Sequence, residues 1–292
     1  MFLLWTNGIQ HEDVLLFVTD AATYMIKAAK SIKDFYPKMV HITCLAYGLH
    51  RVAEDVRSYF PQVDALISNV KKILVKSPSR REHFKALAPG IPLPPQPIIT
   101  RWGTWLEACF YFCEHFQTVK SFVNSLSTED ARAIRTAQEV FKDDEMEGKL
   151  AYIKTNFGSL PSAIDRLQER GIALGKSIAL VKDVQEKLDS VVGDIGEKVS
   201  MKIRSVLDKN PGYKTVCTIV KVLSGESFKT AQIQDKLTPS DLSLFKYAPV
   251  VSAEVERSFS MYNNVLADNR RSFSFQNLRM YTVIYCNREE SY

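Results

Sequence analysis

The sequence has no apolar run approaching the ~20 residues that a membrane-spanning helix requires, which predicts a protein with no membrane partner. The apolar stretch Met1 to Trp5 is far too short for a secretory leader, and no basic segment precedes it. Cysteine is sparse: Cys44, Cys109, Cys113, Cys217 and Cys286 are odd in number and lack the spacing of a disulfide framework. A reducing, intracellular compartment is expected. There is no internal repeat and no low-complexity tract, which argues against a solenoid or a disordered chain. Charge of one sign is also lacking. Thirty-eight Lys and Arg against 33 Asp and Glu leave a net charge of +5, which permits nucleic acid as a partner without specifying it.

What is present is ordinary globular material, with 46% hydrophobic and 24% charged residues, enough for a sizeable core. Val14-Leu-Leu-Phe-Val-Thr19 is a short, continuous apolar run, as expected of a buried strand, and it ends at Asp20. Residues 21–30 then read as a helix, 39–43 as a second strand and 44–60 as a second helix. Strand, helix, strand, helix predicts two parallel strands with a right-handed crossover. Two parallel strands make a marginal sheet. Phe2 to Trp5 could add a short third, and the simplest expectation from strand counting is that strands are missing before residue 1, the chain being N-terminally truncated.

Helical spacing continues over 61–86, with a break at Pro78 and an apolar stripe of Val63, Leu66, Ile67, Val70, Ile73 and Leu74. The stretch Pro89 to Pro97 cannot be helical and marks a boundary. Beyond it helices are expected near 102–125, 128–145, 146–156, 160–170, 172–191, 194–209 and 212–223, then near 253–263 and 274–287, with Ser252 and Ser274 as N-caps. The organisation read from this is 1–97 as a partial α/β region, 98–245 as a helical block and 246–292 as a C-terminal unit.

Several residues could carry chemistry. Asp20 stands at the carboxyl end of a strand, where open α/β sheets gather ligands and catalytic groups. It equally suits the N-cap of the next helix. Glu256 lies beside the apolar stripe of Val255, Phe259 and Tyr262, and it also fits a first-turn acid favoured by the helix dipole. Lys71, Lys72, Lys76, Arg80, Arg81, His83 and Lys85 form the clearest basic cluster, either a phosphate-tracking surface or a solvated helix face. His41, Cys44 and His50 match no common zinc spacing and are read as packing residues, as are Cys109 and Cys113 on an aromatic helix.

In order along the chain, Phe17-Val-Thr-Asp-Ala-Ala22, His41-Ile-Thr-Cys-Leu-Ala-Tyr47, Arg101-Trp102, and Glu254-Val-Glu-Arg-Ser-Phe-Ser260 followed by Asn269-Arg-Arg271 and Leu278 to Asn287 resemble the motifs of hAT-superfamily DNA transposases. The resemblance runs with gaps from about residue 14 to 287. It implies an incomplete RNase H-like α/β core interrupted by a large all-α insertion, in a chain that is predominantly helical overall. It also implies a C-terminal dimerisation region that returns the last acid to the core, and a nuclear (or cytoplasmic) location.

By this resemblance Asp20 corresponds to the second catalytic acid and Glu256 to the third. Arg101 and Trp102, with Lys71, Lys72, Arg80 and Arg81, would contact nucleic acid, Trp102 by stacking on an unpaired base, unless it is a core aromatic. The same carboxylates would hold Mg2+ or Mn2+ if any catalysis remains, since paired divalent cations stabilise attacking and leaving oxygens in phosphodiester chemistry. Phe259, Leu278, Tyr281, Ile284 and Tyr285 would serve self-association. The chain departs from the family pattern at Tyr47, where His is expected, and no strand upstream of Val14 is read that could carry the first catalytic Asp. Asp13 precedes the second-acid strand and is no substitute, and no Cys/His cluster suggests the family's zinc finger. The expectation is therefore a transposase remnant that does not transpose alone. The rivals are a host-retained, dimerising DNA-binding protein and a helical scaffold with no nucleic-acid role.

Overall fold

A computed structural model describes residues 10–97, 103–226, 237–252 and 274–286. Strand β1 (Leu16–Thr19) and strand β2 (Val40–Thr43) pair in parallel, with Leu16 opposite Val40 and Thr19 opposite Thr43. Helix α1 (Thr23–Ile32) makes the crossover between them. Helix α2 (Leu45–Ser58) follows β2 directly, and α3 (Pro61–Val75) and α4 (Pro78–Leu87) come next. Among the described residues the sheet has these two strands and no more. The rest is helical, so the protein is predominantly α.

Helix α3 buries Val63, Leu66, Ile67, Val70, Ile73 and Leu74, the whole stripe that helical spacing picks out. It ends before Ser77, whose side chain accepts from Arg80 N–H ahead of Pro78 at the first turn of α4.

The remaining helices are α5 (Thr104–Glu114), α6 (Phe116–Asn124), α7 (Arg132–Val140), α8 (Met146–Phe157), α9 (Ser159–Leu167), α10 (Leu174–Asp189), α11 (Asp194–Asp208), α12 (Tyr213–Leu223), the short α13 (Pro239–Leu244) and α14 (Phe275–Cys286). The single helix expected near 102–125 is two helices, divided at His115. Ser274 caps α14 as expected, its hydroxyl accepting from Asn277 N–H at 3.3 Å. The helix expected near 253–263, and the short strand considered for Phe2 to Trp5, lie outside the described residues.

One cluster of buried side chains runs from Val40 through the helical block to Val250. Helix α2 packs on α9 and α11, and α3 packs on α7. The Pro-rich stretch also lies against this body: Pro94 is buried, Tyr111 Oη donates to Pro92 O at 2.5 Å and Lys71 Nζ to Pro97 O at 2.7 Å.

The edge of β2 that faces away from β1 is closed by the corner between α11 and α12. Gly212 sits so close to it that a Cβ there would lie 2.3 Å from His41 O, an approach open only to glycine. Beside it, Asn210 is buried and bonded to β2. On β1 the ladder to β2 uses alternate residues, from Leu15 O and Thr19 O. Leu16 and Val18 therefore direct their backbone polar groups to the other side of β1, where the described residues place no strand.

Candidate functional site at the carboxyl edge of the sheet

The last residue of β1 is the buried Thr19, and the chain emerges at the exposed Asp20. Thr19 Oγ1 donates to Asp20 O at 2.8 Å. With that proton used, the same oxygen accepts from His41 Nε2, also at 2.8 Å, which sets the imidazole as the Nε2–H tautomer. Burial lowers the pKa of His41, in keeping with a neutral ring. His41 thus packs within the sheet, as sequence spacing suggests, and orients the backbone that presents Asp20.

Asp20 is not the N-cap of α1. That position belongs to Ala22, which has no side-chain cap. Asp20 Oδ1 instead accepts from Ala22 N–H at 3.2 Å, a local turn that leaves most of the carboxylate in solvent.

Cys44 is the N-cap of α2 and does three things at once. Its N–H donates to Thr19 O at 2.8 Å, carrying the ladder one step past the strands. Its Sγ accepts from Tyr47 N at 3.5 Å and from Ser252 N at 3.3 Å. The next residue, Leu45, donates its N–H to Val250 O at 2.9 Å. The chain near residue 250 therefore returns to the carboxyl edge of the sheet, having left it some two hundred residues earlier. The amide of Ser252 is anchored on Cys44, and the helix that Ser252 is expected to cap lies outside the described residues. A cavity of about 290 Å³ opens at the same edge, bordered by Ala21, Thr23, Gly48, Arg51, Lys202 and Lys209.

Glu256 lies outside the described residues, and so do Arg101, Trp102 and Phe259. Among the described residues no three metal-ligating side chains come together.

The basic cluster divides between two places. Lys71, Lys72 and Lys76 line a cavity of about 390 Å³ between α2, α3 and the start of α5. Pro97 and Thr104 also line it, on either side of Arg101 and Trp102 in sequence. Arg80 instead turns toward Asp130, at 3.6 Å. His83 Nε2 lies 2.9 Å from Ser125 Oγ, and Lys85 pairs with Glu82 at 2.9 Å. Arg81 is half-buried on α4.

His50, half-buried on α2, lines the α2–α3 cavity, with its pKa lowered by burial against an opposing pull from Glu54. Cys109 is fully buried, and burial raises both its thiol pKa and that of Cys113, so neither is poised as a nucleophile.

At the C-terminus, Leu278 is half-buried and Tyr281 exposed on α14; Ile284 and Tyr285 are on the same helix.

Sequence reasoning missed Asn210, the return at Val250–Ser252 and the cavity against Trp105. The Asn210-Pro-Gly212 sequence reads as a turn, and nothing in it points to the strand it seals. No family model matches the chain, and no curated protein matches it. Among the described residues no helix is long and apolar enough to cross a membrane.

Proposed function

We propose that this chain derives from the catalytic region of a hAT-type DNA transposase and retains self-association and nucleic-acid contact while lacking cleavage on its own. The observation that carries the reading is the return of Val250–Ser252 to the strand end that presents Asp20. In sequence Glu256, the third acid of the resemblance, follows by four residues the Ser252 anchored at the edge where Asp20, the second, is displayed. Carboxylates that met at such an edge would suit divalent cations. Two carboxylates supply fewer ligands than paired metals require, which is why the reading includes no cleavage.

The test uses Fe2+ in place of Mg2+ with the full chain and a reductant, so that hydroxyl radicals cut the backbone next to bound iron. Cuts near both residue 20 and residue 256, suppressed by Mg2+ and lost in Asp20→Asn, support the reading. Cuts at neither place would count against it. Metal-dependent nicking of a hairpin DNA by the purified chain would overturn the claim of inactivity.

A further inference from the structure

The cavity at the carboxyl edge of the sheet, between α1, α2 and α11, has no carboxylate on its walls. Its charged side chains are Arg51, Lys202 and Lys209, all of one sign. Lys202 is held by Asp55 at 2.9 Å. The exposed side chains of Arg51 and Lys209 make no ion pair or hydrogen bond among the described residues and remain as uncompensated positive charge. Asp20 does not border the cavity, and its Oδ1 accepts from Ala22 N–H.

The first turn of α1 opens on the same space through Ala21 and Thr23. Ala22 gives that helix no side-chain cap, and the first intrahelical bond runs from Ile26 N–H to Ala22 O. The amides of Thr23, Tyr24 and Met25 are left without an acceptor among the described residues, and such a helix end attracts an anion.

Thr43 is a second, independent sign. It is 7% exposed at the end of β2, where Asn210 takes both of its backbone polar groups. Its hydroxyl makes no hydrogen bond among the described residues and is not sealed off by packing, so it opens to the cavity that Thr43 borders. A hydroxyl on so buried a residue ordinarily has a partner, and a ligand oxygen would supply one.

The volume, about 290 Å³, is at the lower end of the range for small-molecule sites. The apolar wall is aliphatic, made by Ile26, Leu49 and Val206, with no aromatic ring on which a base could stack. The hydroxyl-bearing Thr23 and Ser205 line it as well. A bare anion would use the cations and leave these hydroxyls unused; an uncharged polyol would leave the cations unused.

We infer that this cavity binds a small phosphorylated polyol, its phosphate drawn by the first turn of α1 with Arg51 and Lys209 and bonded by the Thr43 hydroxyl. The inference does not rest on the transposase reading, because the site needs neither a metal nor DNA, and its failure would leave that reading untouched.

The experiment titrates the full chain by calorimetry with glycerol 3-phosphate and with inorganic phosphate, in EDTA so that no metal bridges an anion to Asp20. Arg51→Gln/Lys209→Gln removes the two free charges from an exposed surface. Thr43→Val keeps the side-chain shape and removes a hydroxyl that bonds nothing in the fold. Lys72→Gln/Lys76→Gln removes the same amount of charge at the α2–α3 cavity and is the control. The expected result is saturable binding of glycerol 3-phosphate, tighter than that of inorganic phosphate. It should weaken by about tenfold or more in the first two variants and stay unchanged in the third, as the loss of hydrogen bonds to an anion predicts. Should Thr43→Val fail to fold, the surface pair Arg51→Gln/Lys209→Gln still decides. No saturable binding of the ester at millimolar concentration overturns the inference. So does an equal loss in Lys72→Gln/Lys76→Gln, which would mark general attraction to positive charge, and so does inorganic phosphate binding as tightly as the ester.

Discussion

Asn210 and Thr43 are joined through both polar atoms of the Asn side chain: Nδ2 donates to Thr43 O at 2.8 Å, and Oδ1 accepts from Thr43 N at 3.1 Å. The carboxamide does for the free edge of β2 what a neighbouring strand would do, pairing one donor and one acceptor. Both residues are buried, so no water substitutes. Asn210→Ala strands two backbone groups in the interior. The expected loss is about 2–6 kcal/mol of folding stability, from about 1–3 kcal/mol for each of the two unmade bonds. Asn210→Asp places a carboxylate oxygen against Thr43 O and is expected to cost at least as much. Urea denaturation with an unchanged slope measures this; a loss under about 0.5 kcal/mol, the range of ordinary surface substitutions, would refute it.

Gly212 belongs to the same seal. A Cβ there would meet His41 O at 2.3 Å, and the obstacle is backbone rather than a flexible side-chain end. Gly212→Ala is expected to destabilise by about 1–3 kcal/mol, as overpacking does. Gly148→Ala, where a Cβ meets nothing within 4 Å, is the control and should be neutral or slightly stabilising, since Ala favours the helix interior.

The pH dependence follows from His41 and His50, whose pKa values burial lowers in the folded protein. The unfolded chain then binds protons more readily than the fold does, so stability rises with pH between the two values. The contribution is complete above the unfolded value of about 6.5. It is lost as pH falls through the window below that value and is flat again below the folded values. Urea midpoints between pH 7.5 and 5 should fall more steeply in the parent chain than in His41→Gln/His50→Gln, and equal slopes would contradict the assignment.

Cys44 ties the C-terminal return to the sheet through its sulfur. Cys44→Ala removes the acceptor from Ser252 N–H while leaving the backbone bond from Leu45 to Val250. The expected outcome is faster proteolysis around residues 250–252, with a loss of about 1–3 kcal/mol from the buried sulfur and the cap together. Cys44→Ser, which keeps an acceptor, should fall between; protection equal to that of the parent chain in Cys44→Ala would mean the sulfur does not hold the segment.

Self-association by way of α14 predicts a sedimentation mass above that of one chain at micromolar concentration. Tyr281, exposed, and Leu278, half-buried, provide the probe: Leu278→Asp/Tyr281→Asp should lower the mass to a monomer without changing the far-ultraviolet dichroism. A parent chain that sediments as a strict monomer would end this part of the proposal.

Local physics made much of the chain legible. The β1 run, the six-residue stripe of α3, the Pro78 break and the Ser274 cap each depend on neighbours within a few positions. The division at His115 was not legible, because apolar residues continue through it on both sides and the pattern has no punctuation there. The basic residues of 71–85 look like one cluster in sequence. They separate because α3 ends at Val75 and α4 starts on a new axis, so Arg80 and His83 face the α6–α7 side.

By itself the sequence determined where most of the described strands and helices fall, which of their faces are apolar, and that Asp20 follows a strand, because these depend on periodicity and side-chain chemistry within a turn or two. Only the tertiary structure decided that a side chain 167 positions away seals β2, that residue 252 returns to the sulfur of Cys44, and that Trp105 and three lysines enclose one cavity. Such contacts are set by how whole helices pack, and no local pattern records which distant polar atom will meet a strand's unpaired edge.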